Sequence, residues 1–182
     1  KLGEREAVCR AVNEHYRPRH AGDEPASGIV GAIVGIADKI DTIAGCFSIG
    51  IVPTGSQDPY ALRRQAAGIV QTLIAHKLPV TLGELFEIAL DVYEERGLKR
   101  SRGDILRDLY EFFGLRVRNV LSEAGIRYDV ADAVMASGFD DPLLAVKRAE
   151  AVADAVAQGD VFKAAVDAFN RVCNLAAKAE RT

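Results

Sequence analysis

The chain has 182 residues, 49% hydrophobic and 27% charged, which is enough to bury a core and unlike a disordered tail. A formal net charge of −3 gives no global basic signature, so any contact with nucleic acid must come from a local patch. The longest strongly apolar run, residues 29–37, is too short to span a bilayer, and no basic-then-apolar leader opens the chain.

In chain order, residues 4–17 place Ala7, Val8, Ala11, Val12 and His15 at helical spacing, and Pro18 stops the pattern. Residues 18–28 are a loop by composition. Helical periodicity resumes at Ile29 and runs to Phe47, with Ile36, Ile40, Ile43, Ala44 and Phe47 in one stripe. Gly31 and Gly35 are expected to mark close approach of another helix. Asp38 and Asp41, three apart, share the neighbouring face. The linker after Phe47 carries Gly50, Pro53, Gly55 and Pro59, so neither helix continues through it. Asp58 reads as an N-cap and Pro59 as the first residue of the next helix, which buries Leu62, Ala66, Ile69, Val70 and Leu73 and ends near His76.

Pro79 follows, and Thr81 with Glu84 forms a capping box for a helix that runs to Gly97. Residues 96–103 are a basic, glycine-bounded connector. From Asp104 the spacing of Ile105, Leu109, Phe112, Phe113, Val117 and Leu121 predicts a long amphipathic helix. A short helix over 129–136 comes next. Asp141-Pro142 then caps a helix through Val156, and Asp160 caps a last one carrying Phe162, Val166, Phe169 and Val172. No strand pattern of useful length occurs, and the expected fold is all-α.

The candidate chemistry is sparse. His15 and His20 are five apart around Pro18, which suits no helical ligand pair. The stretch Gly50–Ser56 imitates a phosphate loop but has serine where that loop needs lysine. Cys9, Cys46 and Cys173 are scattered and odd in number, which points to reduced thiols in a cytoplasmic setting. Arg63 and Arg64 oppose the dipole of their own helix start, so they pair with Asp38, Asp41 or Asp58, or they contact RNA phosphates. Between residues 96 and 118, Arg96, Lys99, Arg100, Arg102, Arg107, Arg116 and Arg118 stand against Asp104, Asp108 and Glu111, either a local basic face or a solvated one.

The run ADKIDTIAGCFSIG–IVPTGSQDPYALRRQAAGIV over residues 37–70 resembles the β subunit of the bacterial heterotetrameric glycyl-tRNA synthetase. So does Asn13–Pro25, NEHYRPRHAGDEP. The likeness is fainter over 79–158 and returns in the helix at 168–175, similar to the first helix of that family's anticodon-binding domain.

The resemblance implies three segments. Residues 1–78 would be the later half of an HD-like helical domain, 79–103 a helix and basic connector, and 104–182 a helical region leading into the anticodon-binding domain. Lys1 is not an initiator methionine, and the chain is expected to be an internal piece. The implied role is non-catalytic support of tRNA-Gly recognition and of α2β2 assembly, with ATP, magnesium and glycine held by the α subunit and no cofactor here. The implied partners are that α subunit and tRNA-Gly; neither membrane nor DNA is among them. Arg63 and Arg64 are the first candidates for RNA contact, and Lys99, Arg100 and Arg102 the second. Asp38 and Asp41 would be the remnant of an HD-type metal site, but no His-Asp dipeptide accompanies them. The alternatives are a remnant metal phosphohydrolase and a purely structural scaffold for subunit contact.

Overall fold

The computed structural model describes residues 3–20, 22–95 and 97–179. Among them are eight α-helices and no strand: α1 (Glu6–Glu14), α2 (Ile29–Ser48), α3 (Leu62–His76), α4 (Leu82–Glu94), α5 (Arg102–Glu123), α6 (Tyr128–Ser137), α7 (Pro142–Ala157) and α8 (Asp160–Ala179). The expected all-α architecture is the observed one. Arg96, the first cation of the expected basic connector, lies outside the described residues.

Helix α2 is the centre of the first half. Its stripe Ile36, Ile40, Ile43, Ala44 and Phe47 is buried, and α1, α3, α4 and α5 all pack on it. The two glycines do mark a close approach. A methyl group at Gly35 would sit 2.6 Å from the carbonyl oxygen of His15, and one at Gly31 would be 3.2 Å from the Ala26 side chain. The Glu14 carboxylate ties α1 to the start of α2 by accepting from the backbone N–H of Ser27 (3.0 Å) and Gly28 (3.2 Å). These bonds, that to Gly28 first, hold its pKa below the ordinary carboxylate value.

The core continues without a break from Ile36 on α2 to Ala149 on α7. Phe47, Phe86, Phe112 and Phe113 fill its middle, with ring centroids 5.1 Å apart for Phe47–Phe112 and 4.9 Å for Phe86–Phe113. The caps of α4 and α7 are those expected: Thr81 and Glu84 complete a reciprocal box, and Asp141 accepts from Leu144 N–H ahead of Pro142.

Asp140, one residue earlier, is a junction. Its carboxylate accepts from Gly83 N–H (2.8 Å) and from the Tyr110 hydroxyl (3.1 Å), and its carbonyl accepts from Leu82 N–H (2.8 Å). One residue thus joins the start of α4, the middle of α5 and the turn before α7.

The start of α3 differs from expectation. The helix begins at Leu62, not at Pro59, because Pro59 and Tyr60 form a turn and Ala61 sits in the left-handed region at φ 53°. Asp58 still acts as the cap from a distance: its carboxylate accepts from the backbone N–H of Leu62 (2.7 Å) and Arg63 (3.1 Å).

Candidate nucleic-acid interface

The expected basic residues fall on two seams. Arg63 and Arg64 lie in the first turn of α3, which faces α2; Lys99, Arg100 and Arg102 lie where α4 turns back into α5.

On the second seam the arginines are engaged by carboxylates of the chain itself. Arg100 pairs with Asp108 at 2.6 Å and reaches the carbonyl oxygen of Phe47. Arg102 is gripped by three carboxylates of α4: Glu87, Asp91 at 2.7 Å and Glu94 at 2.6 Å. These anions, Glu87 foremost, raise its hold on its proton still further. Lys99 is exposed, with no ion pair among the described residues.

The first seam is different. Arg63, half-buried, donates to the carbonyl oxygen of Gly55 at 2.8 Å, and Arg64, exposed, reaches that of Arg19 at 3.4 Å. Neither makes an ion pair among the described residues. Among the described residues, Asp38, Asp41 and Asp58 form no ion pair with either guanidinium. Asp58 is occupied with main-chain N–H groups, and the Asp41 carboxylate turns toward α4, accepting from the Tyr93 hydroxyl at 3.0 Å. Asp38 alone shares a cleft with Arg64. The two aspartates therefore do not converge on one site, and among the described residues no three His, Cys, Asp or Glu side chains are grouped as a metal ion would need.

Two buried cations lie near the first seam, Lys39 on α2 and Arg116 on α5. Lys39 is 7% exposed, and its ammonium donates to the carbonyl oxygens of His15 (2.7 Å) and Gly35 (3.2 Å). Burial lowers its pKa, with only partial opposition from Asp38. Arg116 is equally buried, donates to the Phe112 carbonyl oxygen at 2.7 Å and lies 3.9 Å above the Phe112 ring. Its pKa is lowered first by burial and then by the nearby charge of Arg63.

Both residues carried a signal in the sequence. Lys39 stands three after Ile36 and four before Ile43, and Arg116 stands four after Phe112, each inside an apolar stripe. A cation at such a position is buried with its stem packed, and its head must find acceptors.

The segment before α2 closes this corner. Pro18, whose peptide bond with Arg17 is cis, packs its ring on α3 at Gly68, where a methyl group would come within 3.1 Å of it. Arg19 N–H donates to the Asp23 carboxylate at 2.8 Å, fixing the turn that carries the Arg19 side chain.

The described residues thus define an all-α bundle whose α2–α3 corner gathers Arg19, Lys39 and Arg64 around a single carboxylate in the cleft, that of Asp38. The chain belongs to the glycyl-tRNA synthetase beta subunit family, whose model matches residues 1–136. It is 46% identical over 180 residues to the glycine–tRNA ligase beta subunit of Halalkalibacterium halodurans, a match covering 98% of this chain and 26% of that protein. Identity is 45% to the same subunit of Desulforamulus reducens over 99% of this chain and 26% of that protein. It is also 45% to that of Clostridioides difficile over 98% of this chain and 25% of that protein. The chain therefore spans about a quarter of the length of the curated relatives it matches.

Proposed function

We propose that this chain is a helical, non-catalytic part of the β subunit of a cytoplasmic glycine–tRNA ligase, and that it contributes to recognition of tRNA-Gly and to joining of α and β subunits. In this reading glycine is activated with ATP and magnesium on the α subunit, and the present helices hold RNA and partner in place. Family membership supports the reading at the level of the whole enzyme. The observation that carries the RNA role is that Arg63 and Arg64 meet carbonyl oxygens and no carboxylate among the described residues. Their charge remains available to phosphates, whereas that of Arg100 and Arg102 is already opposed. Lys99, exposed in the turn between α4 and α5, is a further cation open to phosphate. The exposed apolar side chains Phe169, Val172 and Leu175 on α8 support the assembly role.

Filter binding across a salt series tests the RNA role. The chain is expected to bind tRNA-Gly with salt-sensitive affinity, and an Arg63→Ala, Arg64→Ala variant to bind more weakly with a log–log salt slope shallower by about 1 to 2. Unchanged affinity and slope in that variant would remove the arginine pair from the interface.

A further inference from the structure

The cleft at the α2–α3 corner has a volume of about 370 Å³, within the range of small-molecule sites and several times what one phosphate needs. Its walls bring Arg19, Lys39 and Arg64 together with Asp38, and Tyr16 and Thr42 add hydroxyls. Three cations face one carboxylate. Lys39 is more than nine-tenths buried, and only two of its three N–H donors have acceptors among the described residues, both neutral carbonyls. Burying an ammonium on neutral acceptors alone is costly, and an anion in the cleft offsets that cost.

The first residues of α3 close the same wall. Ala61 lines the cleft immediately before the helix, whose first N–H groups are already taken by the Asp58 carboxylate, so the attraction for an anion comes from the side-chain cations. Asp38 is the feature that a bare phosphate site lacks. A carboxylate beside an anion is repulsive unless the ligand also presents a hydrogen-bond donor, and a ribose hydroxyl next to a phosphate is such a donor.

We infer that this cleft binds one ribonucleotide unit, with its phosphate held by Arg19 and Arg64 against the buried Lys39 and its ribose hydroxyl donating to Asp38. The site deepens the RNA-binding reading above and rests on it for the source of the ligand. A free mononucleotide presents the same chemistry as a nucleotide of an RNA strand. Lys39 also fixes the end of α1 through His15, so the residues suited to substitution are the exposed Arg19, Arg64 and Asp38.

The test is amide-resolved NMR titration of the chain with inorganic phosphate, adenosine 5′-monophosphate, 2′-deoxyadenosine 5′-monophosphate and a single-stranded RNA decamer. Saturable shifts are expected at Arg19, Thr42 and Arg64 with phosphate and both mononucleotides, and severalfold tighter binding of the ribonucleotide than of its deoxy counterpart. Arg19→Gln and Arg64→Gln are each expected to weaken phosphate and nucleotide binding about tenfold. Asp38→Ala, which leaves no acceptor, is expected to abolish the ribo-over-deoxy preference while retaining phosphate binding. Decamer shifts at the same amides assign the cleft to an RNA strand, and mononucleotide shifts without them assign it to a free nucleotide.

Absent shifts, or shifts that survive both arginine substitutions in a variant with an otherwise unchanged spectrum, overturn the proposal. Equal ribo and deoxy affinity overturns the role of Asp38. Loss of tRNA binding in the filter assay with the mononucleotide titration intact would instead overturn the RNA reading and leave the cleft standing.

Discussion

Helices α5 and α8 are of similar length, 22 and 20 residues, and both carry an apolar stripe, yet they have opposite fates. On α5, Ile105, Leu109, Phe113, Val117 and Leu121 are fully buried among α3, α4, α6 and α7. On α8, Phe169 is 75% exposed and Leu175 67%, and among the described residues the helix packs on the rest of the chain chiefly through α7. Periodicity states which face of a helix wants a neighbour. It does not state whether that neighbour is in the same stretch of chain.

The contrast can be broken most forcefully at Phe113. Phe113→Ala removes a fully buried ring from the centre of the core and is expected to cost about 3–5 kcal/mol, measured by urea unfolding. A loss below about 1 kcal/mol would mean that the α5 seam is not the main source of stability.

Tyr110, also on α5, sharpens the comparison through pH. Burial, then its hydrogen bond to Asp140, pushes its pKa up to about 12 from the ordinary 10.0. A raised folded-state pKa means that this contribution is fully present below about pH 10 and fades as pH rises through about 12. Tyr110→Phe is expected to cost about 1 kcal/mol at pH 7 and to flatten this alkaline loss between pH 10 and 12, read from unfolding midpoints.

Phe169→Ala on α8 is the smallest effect. It is expected to change the stability of this chain by no more than about 0.5 kcal/mol, because the ring is in water in both states. A loss of several kcal/mol would show that the α8 stripe is covered in solution.

Most of the fold was legible because its signals are local. Thr81 with Glu84, and Asp141 before Pro142, state their caps within four residues, and the stripes of α2, α3 and α5 lie at helical spacing. The start of α3 was misplaced because the Asp58-Pro59 dipeptide gives no sign that Ala61 adopts a left-handed conformation before the helix opens. The basic residues were visible, but their partners were not. That Arg102 meets Glu87, Asp91 and Glu94 depends on how tightly α4 folds back on α5, which no spacing within either helix encodes. Lys39 shows the reverse case. Its place in the stripe was readable, but charge suggested surface and position suggested core, and only its carbonyl acceptors settle which prevailed.

The Arg102 grip also gives the bundle two fasteners with opposite responses to salt. Glu87, Asp91 and Glu94 line one edge of α4 as a row of like charges that would repel one another, and a single guanidinium turns that row into the clasp of the α4–α5 bend. All three carboxylates are more than half exposed, so mobile ions screen the clasp. The apolar seam between α3 and α5 is indifferent to screening, and strongly hydrated salts tighten it. Rising ionic strength therefore loosens the bend at one edge of the molecule while the centre holds its grip.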